Sequence, residues 1–514
     1  MKESVVWVLL VRSLMVVIVL LAALLLVRFF FFRLPPYTPP MSLPSKADFH
    51  TTLGRQFKPL VAQHLGETGL LPLADGQQAL LARLAMVEAA ERTIDVQYYI
   101  WHQDTTGSLM FQRLYEAAER GVKVRLLLDD NNTTGKDAVL AALQAHPNIE
   151  VRLFNPFLQR RFRALGYLTD FFRLNRRMHN KSLTVDGVVS VVGGRNIGDE
   201  YFDAATGVAF ADLDVAVVGN VVTAISGAFN RYWSSHSAYP LPLIVEQKSA
   251  AGPPPLATLD ATAKAYIAEL ENAAFIEEFV QGRMHWHWVN AYLLSDDPSK
   301  GLGRAPHASS VMASLSPLMR NAKQQITIVS PYFVPTRQGK RLLQAVAKQG
   351  ADVAVLTNSL VATDVAAVHA GYIKYRKPLL KKGVRLYELK PSATVNEKRE
   401  SVLKSSGASL HAKTFVVDNN WIFVGSFNMD PRSARLNTEM GLLFESEVFA
   451  LMMHQALGDV ERHAYALSLG ERQRLQWCTW QENERHCYHQ EPGSHWLKNL
   501  GIRLLALLPI EWLL

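Results

Sequence analysis

Apolar positions recur with a helical period in some segments and with a strand period in others, and the same succession occurs twice along the chain. In the first half, a helix predicted over residues 108–120 is followed by an apolar strand over 122–128. In the second half, a helix over 339–348 precedes a strand over 352–356. Strands that alternate with helices are typical of layered domains, so the pattern predicts an α/β fold built from two similar domains.

Two stretches, 178–201 and 410–430, share one spacing of chemically active residues. In each, a His is followed by a Lys two positions on, and then by an Asp, a Gly and an Asn at matching positions. Because side chains alternate along a strand, the His and the Lys lie on one face of a predicted strand. The Asp begins a turn, and a second apolar strand leads to the Gly-x-x-Asn segment. The two sets are His179, Lys181, Asp186, Gly193 and Asn196, and His411, Lys413, Asp418, Gly425 and Asn428.

This combination of side chains suits the cleavage of a phosphodiester. A lysine supplies positive charge, and an asparagine amide donates hydrogen bonds to phosphate oxygens. A histidine attacks phosphorus or carries a proton near neutral pH, and two copies give one histidine for each side of the phosphorus. Two lysines neutralise the developing charge, so neither a metal ion nor another cofactor is expected. A lone His-x-Lys would more often be a core histidine beside a solvated lysine, but here the pattern is complete in both halves.

The paired pattern is identified as the HKD signature of the phospholipase D superfamily. Further segments carry the resemblance through most of residues 75–440, and with the PIEWLL ending they are most similar to the C-type cardiolipin synthases of bacteria. Those segments are DVQYYIW, RGVKVRLLLDDNN, FRLNRRMHNKS, DLDVAVVG, SPYFVPT, VHAGY and LNTEMG. The resemblance implies two α/β/α phospholipase D-like domains related by a pseudo-two-fold axis.

The resemblance also implies roles for individual residues. An acidic residue downstream of each motif orients the motif histidine in this superfamily. Aligning DVAVV with EMGLL makes Asp214 and Glu439 equivalent, which predicts that Asp214 contacts His179 and that Glu439 contacts His411. The implied catalytic residues are His179, Lys181, Asp186, His411, Lys413 and Asp418, and the implied substrate-binding residues are Asn196, Ser426 and Asn428. Asp186 and Asp418 belong to the signature, yet their turn positions favour a structural role.

The activity that the resemblance implies is cardiolipin synthesis. One histidine attacks a phospholipid phosphodiester to form a phosphohistidine intermediate, which the glycerol hydroxyl of phosphatidylglycerol then attacks. Phosphatidylethanolamine is a candidate phosphatidyl donor by the same analogy. Hydrolysis to phosphatidic acid begins with the same intermediate and stays open, and a nuclease or a non-catalytic membrane scaffold are weaker alternatives. Arg173, Arg176 and Arg177 precede His179 and are expected to lower its pKa, which favours His179 as nucleophile and His411 as proton carrier.

The net charge of +8 favours an anionic partner, either nucleic acid or anionic lipid. The resemblance selects phospholipids and a membrane, expects no nucleic acid, and leaves the existence of a protein partner open. Tryptophans beside His285 and His287 favour a strand or a lipid-facing surface over a metal site. Cys478 and Cys487 are the only cysteines, and the sequence favours neither a disulfide nor free thiols.

Residues 5–32 are almost wholly apolar and are not followed by a small-residue cleavage site, which favours an uncleaved membrane anchor over a removed signal peptide. The predicted location is the bacterial inner membrane, with the orientation open. The C-terminal residues 496–514 are expected to form either an interfacial helix or a helix docked on the protein. The predicted boundaries are a membrane segment at 1–33, a spacer at 34–74, a first domain at 75–240, a connecting region at 241–305, a second domain at 306–465 and a C-terminal extension at 466–514.

Overall fold

The computed structural model describes most of the chain, namely residues 2–31, 33–204, 209–246, 261–271, 274–391, 409–458, 460–481 and 484–514. The helices are α1 (Lys2–Phe31), α2 (Thr52–Gln63), α3 (Gly76–Glu88), α4 (Thr105–Glu119), α5 (Asp137–Gln144), α6 (Ala164–Leu174), α7 (Asn220–Trp233), α8 (Ala261–Glu271), α9 (Phe275–Val280), α10 (Val311–Arg320), α11 (Thr336–Lys348), α12 (Ala366–Leu380), α13 (Pro431–Arg435), α14 (Glu447–Gly458), α15 (Val460–His463) and α16 (Trp496–Ala506). The strands are β1 (Thr68–Leu73), β2 (Thr93–Tyr98), β3 (Lys123–Asp129), β4 (Ile149–Phe154), β5 (Ser182–Val185), β6 (Val189–Gly193), β7 (Phe210–Ala211), β8 (Asp214–Gly219), β9 (Ala238–Pro240), β10 (His287–Val289), β11 (Ala291–Ser295), β12 (Gln325–Val329), β13 (Asp352–Asn358), β14 (Arg385–Leu389), β15 (Ser409–Leu410), β16 (Thr414–Val417), β17 (Trp421–Gly425), β18 (Met440–Glu445), β19 (Ala464–Leu469), β20 (Leu475–Gln481) and β21 (Glu484–Tyr488).

Two large sheets repeat one strand order. The first sheet runs β10-β1-β8-β6-β5-β2-β3-β4-β9, and the second runs β11-β18-β17-β16-β12-β13-β14-β19-β20-β21. Within them, β8-β6-β5-β2-β3-β4 corresponds to β18-β17-β16-β12-β13-β14. In both runs the last three strands are parallel and the HKD hairpin is antiparallel. The prediction of two similar α/β domains is therefore confirmed.

The hairpin strands are buried on both faces because they lie in the middle of their sheets. Every residue of β5 and β6 is buried, which explains their β-branched, apolar sequences. An apolar cluster joins the two domains, with Val192 and Val217 of the first sheet packed together with Val424 and Leu442 of the second. The two HKD hairpins therefore lie against the interface between the domains.

Asp186 and Asp418 hold the hairpin turns and lie at the end of the motif strand opposite to the histidine. Both adopt a left-handed backbone conformation, with φ of 50° and 51°. The Asp186 carboxylate accepts hydrogen bonds from three successive backbone amides at the start of β2, and Asp418 does the same at the start of β12. The assignment of these two residues to the catalytic set is therefore wrong. Their carboxylates bind backbone amides beside the turn, at the end of the strand away from the histidine. Their turn positions in the sequence point to this structural role.

The C-terminal extension continues the second sheet instead of forming a separate unit. Strand β19 pairs with β14, and β20 and β21 follow as a hairpin closed by the Cys478–Cys487 disulfide. Helix α16 then packs on α12, and the last residue, Leu514, is buried against Gly371. One face of α16 is docked on the protein, which is one of the two alternatives expected for this segment, and its other face is exposed.

The N-terminal segment forms helix α1, which lies against α6. In the part of the chain that the structure describes, no helix is long and apolar enough to cross a membrane. The predicted membrane segment is therefore not confirmed. The flexible break predicted within the connecting region, at residues 250–255, lies outside the described residues.

Replacing Asp186 by Ala should destabilise the fold by about 2–4 kcal/mol, since three backbone amides lose their acceptor and a left-handed position loses a tolerant side chain. Urea unfolding followed by circular dichroism measures the change. Asp186→Asn is the matched control, because an amide oxygen retains part of the acceptor capacity, and it should cost less. An unchanged unfolding midpoint in Asp186→Ala would show that the carboxylate does not hold the turn.

Candidate active site

Each motif histidine is held through its backbone by the opposite domain. The backbone amide of His179 donates to the carbonyl of Thr438 at 2.9 Å, and the backbone amide of Thr438 donates to the carbonyl of Arg177 at 2.9 Å. In the second motif, the backbone amide of His411 donates to the carbonyl of Ala211 at 2.8 Å, next to the pairing of β15 with β7. The segment before each histidine is thus paired with the segment before the other domain's acidic residue.

The two histidines exchange carboxylate partners across the domain interface. Nδ1 of His179 lies 2.8 Å from Oε2 of Glu439, and Nδ1 of His411 lies 2.5 Å from Oδ2 of Asp212. The predicted pairing of His179 with Asp214 and of His411 with Glu439 is therefore wrong. Because Nδ1 is used in both contacts, Nε2 is the nitrogen that each ring keeps for a ligand.

Strand register explains the wrong pairing. Gly193 is paired with Asp214 in the first sheet, and the equivalent Gly425 is paired with Gly441 in the second. Asp214 is thus equivalent to Gly441, and Asp212 is equivalent to Glu439. An alignment error of two residues keeps a side chain on the same face of a strand, so the alternation of the sequence could not reveal it.

Asp214 has a different task in the core of the first domain. Its carboxylate accepts a hydrogen bond from the guanidinium of Arg83 at 2.7 Å and another from the backbone amide of Arg195 at 3.1 Å. Asp214 and Arg83 are both almost fully buried. A buried charge requires such a partner, so Asp214 is a structural residue of the first domain.

Both motif lysines are buried beside their histidines. Nζ of Lys181 donates to the carbonyl of His179 at 2.6 Å, and Nζ of Lys413 lies 2.7 Å from Nδ1 of His411. Burial lowers the pKa of Lys413 to about 8, against the opposing charges of Asp212 and Glu439. Burial also lowers the pKa of Lys181 well below its ordinary value. An anionic group in the site would favour the charged form of both lysines.

The pKa values of the two carboxylates are shifted in opposite directions. Burial lowers the pKa of His179 well below its ordinary value, and the charges of Lys181 and Lys413 add to that effect. Burial raises the pKa of its partner Glu439 to about 7. Burial would also raise the pKa of Asp212, but Lys413 and His411 outweigh it and hold the pKa below its usual range. The pKa of His411 is lowered by burial and by Lys413, while Asp212 opposes the change.

The predicted substrate-binding residues are all buried here, but their polar groups are used differently. Asn196 donates to the hydroxyl of Tyr201 at 2.9 Å and accepts from the amide of Ile100 at 3.2 Å. Among the described residues, Oδ1 of Asn428 has no hydrogen-bond partner, so this acceptor oxygen remains available to a donor group of a ligand. The hydroxyl of Ser426 donates to Oε2 of Glu439 at 2.5 Å, so the structure places it on the carboxylate instead of on an open face of the site.

A buried ion pair in the connecting region supports Glu439 and was not anticipated from the sequence. Asp296 accepts from the backbone amide of Glu439 at 2.9 Å and from Nζ of Lys300 at 2.6 Å. Lys300 also donates to the carbonyl of Ser433 at 2.8 Å. Asp296 lies 143 positions before Glu439, so only the tertiary fold brings them together. The DDPSK segment carried no signal beyond its charge.

Tyrosine rings cover both histidines. Tyr99 packs edge-on against His179 with ring centres 4.9 Å apart, and Tyr201 packs against His411 at 5.2 Å. A third tyrosine, Tyr332, has its pKa raised by burial and by Asp364, with smaller effects from Tyr201 and Tyr99. The hydroxyl of Tyr332 donates to Asp364 at 2.7 Å, and Asp364 is exposed. These tyrosines and Asp364 form the mouth of the site.

The arginines before His179 do not act on it as predicted. Arg177 is buried and paired with Asp129, and Arg173 is paired with Asp170. Arg176 donates to the carbonyl of Phe172. Their expected effect on the pKa of His179 is therefore wrong: the low value comes from burial and from the two motif lysines.

The described residues contain no group of three or more metal-ligating side chains that could hold an ion. His285 and His287 contact each other with ring centres 4.7 Å apart, and His287 also packs against Phe449. The site contains two histidines, two carboxylates and two lysines, all at or below 8% exposure. Two imidazoles with orienting carboxylates are suited to nucleophilic attack on phosphorus and to proton transfer at the leaving oxygen.

Comparison with known proteins agrees with this geometry. The family model described as "Cardiolipin synthase, PLD-like domain" matches residues 84–233 and 315–459, which hold the two motifs. Cardiolipin synthase C of Escherichia coli (strain K12) is 47% identical over 466 residues, covering 89% of this chain and 98% of that protein. Cardiolipin synthase A of Pseudomonas entomophila (strain L48) is 26% identical over 388 residues, covering 75% of this chain and 67% of that protein.

A solved structure shares the overall architecture. The crystal structure of phosphatidylserine synthase from Haemophilus influenzae Rd KW20 superposes with a TM-score of 0.54 at 14% identity, covering 80% of this chain and 91% of that chain. At this level of identity the likeness concerns the fold alone.

Proposed function

The chain belongs to the phospholipase D-like cardiolipin synthase family, and from that premise we propose that it transfers a phosphatidyl group to the glycerol hydroxyl of phosphatidylglycerol. The observation that carries the proposal is the pair of histidines, each held by the carboxylate of the opposite domain, beside two buried lysines. Phosphatidylglycerol and, as a candidate donor, phosphatidylethanolamine are the proposed substrates, and the bacterial inner membrane is the proposed location.

In the first proposed step, Nε2 of His179 attacks the phosphorus of the donor phospholipid. The bond from phosphorus to the head-group oxygen breaks, and that oxygen takes a proton from His411 as the alcohol leaves. The low pKa of His179 keeps the ring neutral and nucleophilic, and Glu439 accepts its Nδ1–H. Ionised Asp212 and the anionic phosphate together favour the protonated form of His411.

In the second proposed step, His411 removes a proton from the glycerol hydroxyl of phosphatidylglycerol. The new alkoxide oxygen bonds to phosphorus as the bond to His179 breaks, which restores both histidines and releases cardiolipin. Lys181 and Lys413 hold the phosphate oxygens throughout. If water replaces the glycerol hydroxyl, the product is phosphatidic acid, so the acceptor alone separates a transferase from a hydrolase.

Product analysis tests the proposed activity. The purified full chain in mixed micelles with phosphatidylglycerol, with and without phosphatidylethanolamine, should form cardiolipin that mass spectrometry detects. His179→Ala and His411→Ala should each reduce the rate by roughly 10³-fold or more, because each step needs both groups. Asp186→Asn is the control, since its side chain lies outside the site. Phosphatidic acid as the main product at all lipid concentrations would identify a hydrolase and contradict the proposal.

Trapping decides the proposed roles of the histidines. A phosphatidyl ester of p-nitrophenol has a leaving group that needs no protonation, so His411→Ala should release about one p-nitrophenol per active site and retain the phosphatidyl label on His179. His179→Ala should show neither a burst nor a label. Peptide mapping after quenching at alkaline pH locates the phosphohistidine. A label on His411 in the His179→Ala variant would reverse the assignment.

The pH dependence of kcat/KM should be bell-shaped, with limbs near the two perturbed pKa values. Glu439 must be ionised to accept from His179, so the rate falls as pH drops below about 7. Lys413 must be protonated to hold the phosphate, so the rate also falls as pH rises above about 8. Ser426→Ala removes a donor to the Glu439 carboxylate and should move only the acid limb upward, by roughly 1 pH unit. An acid limb that stays in place in Ser426→Ala would show that Glu439 does not control it.

A further inference from the structure

Helix α6, which is kinked at Asp170, and the segment just before it expose a row of large apolar side chains. Leu165 and Leu168 are 45% and 66% exposed, and Phe172, beyond the kink, is 70% exposed. Phe162, two residues before the helix, is 59% exposed. The opposite side of the helix is anchored, with Leu174 and Gly166 buried. The row is therefore a fixed feature of the surface and not the result of a loosely packed helix.

Helix α16 exposes a similar row. Its inner face packs through Ile502 against Leu360 and Ala370. Its outer face carries leucines at helical spacing and continues into the turn that follows, with a tryptophan at each end of the segment. The exposed residues are Trp496, Leu497, Leu500, Leu504, Leu507, Leu508 and Trp512.

These two rows meet and form one surface, which we call the α6–α16 face. The ring of Phe171 contacts that of Trp512, with centres 6.3 Å apart. The guanidinium of Arg432 donates both to the carbonyl of Asn175, at 3.1 Å, and to that of Leu513, at 2.9 Å. These contacts hold the C-terminal end of α6 against the C-terminal residues of the chain. Helix α1 lies against α6 and extends the same apolar region.

The exposed charged side chains of helix α16 and of the segment before α6 are cationic, and the acidic Glu511, beside Trp512, is paired with Lys374. Arg161, Lys498 and Arg503 are exposed, and α16 contains no acidic residue. The one acidic residue of α6, Asp170, is neutralised by Arg173. Leucines with terminal tryptophans and basic residues are the composition of helices that lie in the head-group region of anionic bilayers. A protein partner would not require this combination of interfacial tryptophans and exposed basic residues.

Hydrogen bonds connect both parts of the α6–α16 face to segments that lead to the mouth of the site. On the α6 side, Tyr167 donates to Asn131 at 3.1 Å, and the neighbouring Asn132 donates to the carbonyl of Tyr99, whose ring covers His179. On the α16 side, Lys498 donates to the carbonyl of Leu360 at 3.1 Å. The loop that begins there leads to Asp364, which holds Tyr332 at the mouth.

We propose that the α6–α16 face docks on the head-group region of an anionic lipid bilayer and holds the mouth of the site at the membrane surface. Lipid head groups then reach the histidines without the acyl chains leaving the bilayer. The identity of that lipid as substrate rests on the proposed function, but the docking itself does not.

Fluorescent probes on the full chain test the docking. Leu168→Cys and Leu504→Cys, labelled with an environment-sensitive dye, should show blue-shifted emission in vesicles of phosphatidylglycerol and phosphatidylcholine. Nitroxide groups on the lipid acyl chains should quench both dyes, and the shift should be much smaller in phosphatidylcholine alone. Leu451→Cys on α14, at a leucine of 57% exposure on the second sheet, is the matched control and should not respond.

Three outcomes would overturn the proposal. Dyes at Leu168 and Leu504 that aqueous iodide quenches as strongly as the dye at Leu451 would show that the face stays in water. Protection from iodide without quenching by lipid nitroxides would assign the face to a protein contact. Equal insertion into both kinds of vesicle would contradict the role of anionic lipid.

A rate measurement separates docking from catalysis. The double variant Leu504→Glu/Leu508→Glu should turn over roughly tenfold more slowly on vesicles, since two leucines that would enter the bilayer are lost, and should keep its turnover in detergent micelles. Leu451→Glu should change neither rate. Equal losses on vesicles and in micelles would show damage to the fold or site and count against docking. If the unmodified chain makes no cardiolipin in either medium, the proposed function fails while the probe results still decide the docking.

Discussion

The exchange of carboxylates across the domain interface is the contact on which the rest of this structure depends. Glu439 belongs to the second domain and holds the histidine of the first, while Asp212 belongs to the first and holds the histidine of the second. Neither domain by itself has a complete pair, and an ionisable group buried without a partner is costly. The apolar cluster between the sheets keeps water from these groups, which is why their pKa values differ from ordinary ones.

The two pairs differ in one residue of each Gly-x-x-Asn segment and in the balance between burial and charge at the carboxylate. Ser426 places its hydroxyl on Glu439, whereas the equivalent position in the first motif is Gly194. A Cβ at Gly194 would lie 2.1 Å from Oδ1 of Asp212, so the carboxylate there excludes any larger residue. Asp212 lies against the backbone and 4.0 Å from Lys413, and the charges of Lys413 and His411 outweigh the effect of its burial. At Glu439 burial outweighs the charges of Lys181 and Lys300. A repeated motif has thereby acquired two different electrostatic environments.

Local patterns were sufficient to predict the layers, the repeated domains and the two hairpins, because each depends on residues close together in the chain. The partner of each histidine was not predictable in this way, since a shift of two residues leaves strand alternation unchanged and only pairing with the neighbouring strand reveals it. The arginines before His179 illustrate a second limit of predicting contacts from the sequence. Their position in the chain suggested an effect on the histidine, yet Arg177 turns to Asp129 in the core, a contact that depends on the sheet. The support of Glu439 by Asp296 is likewise purely tertiary.

The connecting region explains how two separate domains can share one small site. Strand β10 ends at Val289 in the first sheet, and β11 begins at Ala291 in the second, so a single residue passes from one sheet to the other. Immediately after β11, Asp296 binds the amide of Glu439 and fixes the carboxylate that crosses to His179. A loose tether would let the domains separate and leave four buried ionisable groups without partners. Two consecutive edge strands, one in each sheet, instead hold the domains together beside the crossed pairs.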